Sequence, residues 1–308
     1  MSPPIARALL ALALAAAFDV ARACSVCSRG DPLAPAADAH GSGGDLRLAL
    51  DFEVLSQRSG SPGAPTMHDD LDQVALKLTT VYSPVPPLNL VLSVPFVHKK
   101  MTMEHAPGDI FVASDLTGLG DVEVGVRWFF WESVNMRARM RQSVGVSLGS
   151  SFPTGANDAG AFEIGQPNPE HGQPGTGAFG PYAGLSYRLA RDPFAALVSV
   201  SGRTHDANAQ GYRYGSALLW TVQGQWTALP WLAAGFGLDG HHGRQDLQAG
   251  ALVPNTGGTV IWASPSLFVN LYGKLWATLR GQIPVATAFV GDQSVSPVVT
   301  AGLQFTVF

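Results

Sequence analysis

The sequence predicts an all-β protein, a transmembrane antiparallel up-and-down β-barrel of about twelve strands. Three observations support this prediction. Only 14% of the 308 residues are charged, whereas an average soluble protein carries roughly 25% charged residues. After residue 18, no apolar run in the chain approaches the roughly 20 residues that a membrane-spanning helix needs. From Leu46 onward, apolar residues recur at every second position instead.

The first 23 residues have the features of a cleaved secretory signal peptide. Arg7 precedes an apolar stretch from Leu9 to Phe18, and Ala21-Arg22-Ala23 fits a small-residue cleavage site. Cleavage there would leave Cys24 at the new N-terminus, so lipid modification of Cys24 stays open as an alternative. The chain is therefore expected to be exported, and the bacterial outer membrane is its expected location.

Residues 24–45 form a short periplasmic segment and linker ahead of the barrel. Cys24 and Cys27 stand at C-x-x-C spacing, and export into an oxidising compartment favours a local disulfide between them. Ser28 takes the place of the histidine in a haem-attachment motif. The chain has no second cysteine pair to complete a tetrahedral zinc site. Metal capture or redox exchange by the two cysteines remains the alternative.

Residues 46–308 contain twelve segments in which apolar residues alternate with polar or small ones. Successive side chains of a strand point to opposite faces, so each segment has one apolar face. A charge-poor apolar face suits lipid, because an Arg or Lys there costs about 2–4 kcal/mol at mid-membrane. The predicted strands are 46–57, 72–83, 87–99, 121–132, 138–150, 177–189, 194–204, 213–227, 230–241, 259–271, 274–287 and 296–308.

Short and long connections alternate between these strands. The longer ones are 58–71, 100–120, 151–176, 205–212, 242–258 and 288–295. Outer-membrane barrels have this arrangement, with short periplasmic turns and longer extracellular loops. A soluble β-sandwich also alternates faces but does not predict a long loop at every second connection. Lipid also requires the sheet to close, since it cannot hydrogen-bond an open edge.

The last strand carries a second indication of this class. Residues 300–307 have a polar-x-Gly-x-x-aromatic-x-apolar pattern and Phe308 ends the chain, which resembles the C-terminal assembly signal of outer-membrane barrels. The expected partners are therefore outer-membrane lipid and the barrel assembly machinery. The net charge of −4 gives no indication of nucleic-acid binding.

Three short segments resemble a known family. Gly118 to Trp128 (GLGDVEVGVRW), Leu92 to Val97 (LSVPFV) and Phe152 to Gly155 (FPTG) are similar to segments of the "MetA-pathway of phenol degradation" family of outer-membrane transporters, in the family's order. The resemblance covers the barrel, residues 46–308, and leaves the Cys24/Cys27 region outside. It implies an outer-membrane channel with small hydrophobic or aromatic molecules among its solutes.

Charged residues on the inward-facing phase are the candidate functional residues. Ion pairs that fill the interior and a polar conduit whose charges tune selectivity are the two interpretations that the sequence leaves open. Both signs occur, so no strong preference for cations or anions is expected. The set predicted to line the pore comprises Arg47, Asp51, Glu53, Lys77, Glu123, Arg127, Arg141, Asp239 and Arg280.

Twelve strands lie between the smallest filled barrels and the wide aqueous porins, so the passage is expected to be narrow. The long connection 151–176 either folds inward as a constriction or forms an external loop. The function that the sequence favours is a passive channel for small-molecule solutes, with no cofactor and no enzymatic activity. An outer-membrane enzyme or a purely structural barrel is the alternative.

A weaker pattern points to copper. Thioether and imidazole groups, which suit copper, occur on the first two predicted long loops, at Met67, His68, Met101, Met103 and His105. Together with Cys24 and Cys27 they form the candidate metal ligands. The competing interpretation is that exposed loop residues share one side of the barrel by chance.

Ser147 lies in a G-x-S-x-G string, Gly145 to Gly149, that resembles a nucleophile elbow. That elbow requires a strand-turn-helix context, whereas the sequence here alternates as a strand and no helical pattern follows. The sequence therefore singles out no catalytic residue.

Overall fold

A computed structural model describes residues 43–61, 64–106, 109–159 and 170–308, with the backbone alone at 61, 64–67, 105–106 and 109–111. The predicted signal peptide and the Cys24/Cys27 segment lie outside the described residues. Within the described part of the chain, no helix is long and apolar enough to cross a bilayer.

Among the described residues, the regular structure consists of β-strands and one short 3-10 helix, Glu170–Gly172. The strands are β1 (Asp45–Ser61), β2 (Ala64–Val85), β3 (Leu88–Ala106), β4 (Asp109–Leu119), β5 (Val122–Asn135), β6 (Met140–Phe152), β7 (Gly180–Arg191), β8 (Phe194–Arg203), β9 (Tyr212–Arg213), β10 (Ala217–Leu229), β11 (Leu232–Gly243), β12 (Leu247–Gln248), β13 (Ala251–Leu252), β14 (Gly258–Tyr272), β15 (Leu275–Phe289), β16 (Gln293–Val295) and β17 (Val298–Thr306).

The large sheet closes on itself as a barrel of twelve antiparallel strands, which confirms the predicted fold class. β1 pairs with β2 on one side and with β17 on the other, so no edge is left. β4 and β5 both pair with β3 and together form one wall strand, bent at Gly120 and Asp121. The short β9, β12 and β13 form a separate sheet in the connections.

Side-chain alternation divides the wall into an apolar outer face and a mixed inner face. Leu50 and Phe52 on β1 are 41% and 45% exposed on the outside, whereas Arg47 is 9% exposed on the inner face. The same alternation exposes Trp128, Trp131 and other large apolar side chains around the barrel. This outer belt is the surface that the low charge content predicted.

The two ends of the barrel differ, as predicted. Short turns join the strands at one end, the turn end. Long connections at 153–179, 204–216, 244–257 and 290–297 gather at the other, the loop end. The first two predicted long loops, 58–71 and 100–120, are instead largely strand, because β1 to β4 continue past the rest of the wall.

Side-chain contacts stabilise this extension. Arg58 on β1 and Asp70 on β2 form a bidentate ion pair, with Nε to Oδ1 at 2.7 Å and Nη2 to Oδ2 at 3.0 Å. On the other face, Leu71, Met101 and Ala113 form a buried cluster. These contacts favour a β-hairpin where local sequence suggests a polar loop.

Candidate functional site: the barrel interior and its loop end

Asp239 is the centre of a dense polar network on the inner wall. It is completely buried. Thr221 donates a hydrogen bond to its Oδ1 at 2.7 Å, and Gln282 Nε2 donates to its Oδ2 at 3.0 Å. Ser264 and Arg280 also donate to Oδ2. Donors from three strands, β10, β14 and β15, thus converge on one carboxylate of β11, and Arg280 neutralises its charge.

Glu123 and Arg203 form a second ion pair, which reaches across the inner face of β6 and β7 from β5 to β8. The guanidinium carbon of Arg203 lies 5.3 Å from the centroid of the Tyr182 ring, a cation–π distance. Tyr182 in turn lies against Gly149, where a Cβ atom would come within 2.4 Å of the phenol. Glycine at this position therefore makes room for the aromatic ring inside the barrel.

The remaining predicted charges also face polar groups. Arg127 is fully buried and donates from Nε to Ser147 Oγ at 2.9 Å. Ser147 thus lies within β6 as a hydrogen-bond partner, without the strand-turn-helix context of a nucleophile elbow. Asp51 stands directly opposite Lys77 in the register of β1 and β2.

The first strand pair continues this pattern. Arg47 Nη2 donates to Ser83 Oγ at 3.2 Å, and Ser83 donates to Asn89 Oδ1 at 2.6 Å. Glu53 lies two residues beyond Asp51 on the same face of β1. At the turn end, Arg141 pairs with Glu132 at 2.8 Å. The interior therefore holds charges of both signs, with Glu123 and Asp239 in ion pairs and Arg47 and Arg127 hydrogen-bonded to serine hydroxyls.

Several buried polar atoms on the inner face have no hydrogen-bond partner among the described residues. They include Ser199 Oγ, Ser201 Oγ, His241 Nδ1 and Trp262 Nε1. Buried polar groups in proteins are almost always hydrogen-bonded. Exceptions in native proteins often have ordered water as the partner, so these buried atoms mark places where the barrel interior can hold water.

The described parts of the long connection, 153–159 and 170–179, pack into the loop end, which favours the inward-folding interpretation for those residues. Lys99 Nζ, on the inner face of β3, donates to the carbonyls of His171 and Gln173 at 3.2 and 2.7 Å. Gln173 is completely buried, and Gly172 packs near Ser114 of β4. We call residues 170–178 the plug segment.

Asp121, at the bend between β4 and β5, anchors both ends of this connection. Its Oδ1 accepts a hydrogen bond from the Gly155 amide at 3.1 Å. Its Oδ2 accepts from the Thr176 amide at 2.8 Å and the Thr176 hydroxyl at 2.5 Å. Gly155 and Gly175 touch so closely that a Cβ atom on either would come within 2.7 Å of the other's backbone.

A second set of contacts ties the plug segment to the neighbouring connections. His171 Nε2 lies 3.1 Å from Asp246 Oδ2, and the Tyr212 hydroxyl donates to the same oxygen at 2.6 Å. Burial opposes ionisation of Asp246, but the hydrogen bonds from His171, Tyr212 and the Gly215 amide hold its pKa below the usual value. Asp246 is therefore an anionic acceptor that holds three connections together.

An aromatic cluster covers this contact. The rings of His171, Tyr212 and Tyr214 meet edge to face, with centroids 5.0–5.9 Å apart, and His205 packs beside Tyr214. Burial, assisted by the nearby positive charge of Arg203, lowers the pKa of His205 to about 4. His205 is therefore neutral at pH 7, and its protonation would oppose packing in this position.

Of the predicted metal ligands, the structure describes the side chains of His68, Met101 and Met103, and it places His68 apart from the two methionines. His68 lies on one face of the β2–β3 hairpin, 3.9 Å from Glu104, whereas Met101 and Met103 pack in the apolar cluster on the other face. The side chains of Met67 and His105 and both cysteines lie outside the described part. Among the described residues, no group of three or more His, Cys, Asp or Glu side chains is placed to hold a metal ion.

Three residues important to this geometry were absent from the predicted set. Arg203 and Lys99 occupy inward-facing positions of predicted strands, so the alternation of the sequence alone was sufficient to include them. Asp121 falls in the GLGD segment, but its role depends on Gly155 and Thr176, which lie far along the chain.

Comparison with known proteins places the fold. No family model matches the chain, and no curated protein matches it. Among solved structures, it is similar to an outer membrane channel from Pseudomonas putida F1, with a TM-score of 0.64 and 11% identity over 86% of this chain and 96% of that chain.

Two further similar structures have lower scores. The translocator domain of the autotransporter NalP from Neisseria meningitidis has a TM-score of 0.47 and 8% identity, over 89% of this chain and 92% of that chain. The CymD monoaromatic hydrocarbon channel has a TM-score of 0.40 and 9% identity, over 89% and 91%. The similarity to the Pseudomonas putida channel and the closed sheet give the chain the fold of an outer-membrane β-barrel. Its resemblance to the phenol-degradation family stays a prediction.

Proposed function

We propose that this chain is an outer-membrane channel through which small neutral molecules, hydrophobic or aromatic ones included, pass passively when the plug segment leaves the mouth. The observation that carries the proposal is the inner wall. It combines close charge pairs, buried aromatic side chains such as Tyr182 and Trp262, and polar atoms that have no hydrogen-bond partner among the described residues.

The charge pairing supports a neutral solute. Glu123 with Arg203 and Asp239 with Arg280 each cancel within hydrogen-bonding distance. An ion entering beside such a pair would lose its hydration and gain little net attraction in return. A solute without charge avoids that loss, and the aromatic and aliphatic side chains offer it apolar contacts. The sequence resemblance to the phenol-degradation family supports aromatic solutes in the same way.

Planar-bilayer recording of the refolded protein tests the channel itself. We expect small, infrequent current steps because the plug segment leaves the mouth only rarely, and a reversal potential near zero in a KCl gradient because charges of both signs line the inner wall. The proposal would be contradicted if the barrel carried no current in both forms, the wild type and a variant in which the plug segment is released.

Liposome swelling tests the solute class. Phenyl glucoside and phenyl glucuronide are similar in size, and only the second carries a charge at pH 7. We expect faster swelling with the glucoside for a variant in which the plug segment is released. Equal rates would leave a channel without the proposed preference for neutral solutes.

A further inference from the structure

The outer wall carries an open, shallow cavity of about 700 Å³ at the loop end. Its floor follows one row of cross-strand partners. Leu148 on β6 stands opposite Ala183, Ala183 opposite Gly202, and Gly202 opposite Leu218. The two small residues lie between the two leucines, so the wall is recessed there. All four side-chain positions are on the lipid-facing phase.

The edges of the cavity differ in chemistry. Towards the turn end, the next row of partners presents Leu185 and Val200, which are 54% and 41% exposed. Towards the loop end, the cavity is bordered by Thr204, Ser216 and Arg244. The hydroxyls of Thr204 and Ser216 are hydrogen-bonded at 3.0 Å. The cavity is thus apolar towards the membrane and polar towards its surface.

Two basic side chains make the polar edge of the cavity electropositive. Arg244 is exposed, and it makes no ion pair with any residue that the structure describes. His242, also exposed, lines the same cavity and is placed by a 2.8 Å contact between its Nδ1 and Thr259 Oγ1. A guanidinium group binds phosphate with strong, charge-assisted hydrogen bonds.

We propose that this cavity binds one phosphorylated glycolipid of the outer leaflet, of the lipid A type. The headgroup phosphate lies on Arg244 beside His242, and the first part of an acyl chain lies over Ala183 and Gly202 between Leu148 and Leu218. The proposal rests on the outer-membrane location under Proposed function, since the long connections then face the outer leaflet. It requires nothing of the lumen or of the plug segment.

The favoured occupant follows from the charge and position of the cavity. A zwitterionic phospholipid would offer the apolar contact, but its ammonium group would lie near Arg244. A protein partner would have to reach a recess that lies on the lipid-facing phase of the wall. A lipid that is anionic at the membrane surface and apolar below satisfies both edges at once.

The chain offers a well-matched pair of glycine variants. A Cβ atom on Gly202 would meet nothing within 4 Å, so Gly202→Leu fills the cavity without displacing the wall. Gly224 on β10 is also exposed, and its Cβ would have as its nearest contact the Phe236 carbonyl at 3.9 Å. Gly224→Leu therefore adds the same side chain at the other end of the barrel.

Native mass spectrometry of the refolded full chain with lipid A and with phosphatidylethanolamine as probes tests the site. We expect one lipid A per wild-type barrel, and at least a roughly tenfold loss of affinity in both Gly202→Leu and Arg244→Gln. Gly224→Leu and Arg191→Gln, an exposed arginine at the turn end, should bind as wild type does.

Lipid A that binds Gly202→Leu as tightly as wild type would overturn the proposal, and so would equal binding of phosphatidylethanolamine. Arg244→Gln gives an independent answer should the leucine variant fail to fold, which heat-modifiable migration on gels reveals. Bilayer currents of the same variants should match wild type. Loss of lipid binding with normal currents therefore separates this site from the channel.

Discussion

Replacement of Asp121 by alanine gives the strongest test of the closed mouth. The carboxylate accepts three hydrogen bonds from the ends of the 153–179 connection, two from Thr176 and one from Gly155. A hydrogen bond to a charged group contributes about 1.5–3 kcal/mol. Asp121 is half-exposed, and the contributions are not additive, so we take roughly 3 kcal/mol for the three together.

This free energy applies to the closed state alone, because water replaces the plug segment as the partner of Asp121 once the segment leaves. Each 1.4 kcal/mol is a tenfold change, so loss of the anchor should shift the ratio of open to closed barrels by about 100-fold. In planar bilayers, Asp121→Ala should therefore open much more often than wild type. Asp121→Asn, which keeps one acceptor oxygen but no charge, should lie between them.

Asp158→Ala is the matched control, since Asp158 is an exposed aspartate of the same connection. It should leave the open probability unchanged. The reasoning is refuted if folded Asp121→Ala, identified by heat-modifiable migration, opens no more often than the control. That result would mean that other contacts, such as those of Lys99 and Asp246, suffice to hold the plug segment.

Three further predictions concern the interior and the loop end. Arg280→Met leaves the charge of Asp239 buried without its partner and should cost about 3–5 kcal/mol, measured as a lower urea midpoint of unfolding in lipid. Gly149→Val forces Tyr182 aside and should cost about 1–3 kcal/mol in the same assay. The lowered pKa of His205, about 4 against the ordinary 6.5, means that its stabilising contribution is complete above pH 6.5 and is lost as the pH falls towards 4. Acidification over that range should raise the open probability, and His205→Gln should flatten this response; a wild-type open probability independent of pH would contradict it.

The twelve wall strands were predictable because lipid on one side and a mixed interior on the other impose a strict period of two. The outward positions of Leu50 and Phe52 follow from that period alone. The extension of β1 to β4 was not predictable in this way. Its inner face packs against the plug segment, with Lys99 bonded to the His171 carbonyl, and that contact joins residues far apart in the sequence.

The candidate site also has a part that the alternation of the sequence predicts and a part that it does not. Phase identifies Glu123, Asp239 and Arg280 as inward-facing, but it cannot assign their partners, because those depend on which strands are neighbours and in what register. Asp121 shows the limit most clearly. A Gly-Asp turn is common in barrels, and only the folded position of Thr176 distinguishes an anchor from a solvated turn.

The positions of these contacts imply that closure and solute preference are separable. The plug segment is held by Asp121, Lys99 and Asp246, all of which bond to the connections at the loop end. The pair of Asp239 and Arg280 belongs to the wall itself, and the hydrogen bonds of Asp239 all go to side chains of neighbouring wall strands. Release of the plug segment should therefore raise the open probability while leaving the reversal potential near zero. Replacement of Arg280 in a folded barrel should shift the reversal potential and leave the open probability unchanged. The carboxylate of Asp239 would then lack its partner and favour cations, whereas the contacts of the plug segment would be intact.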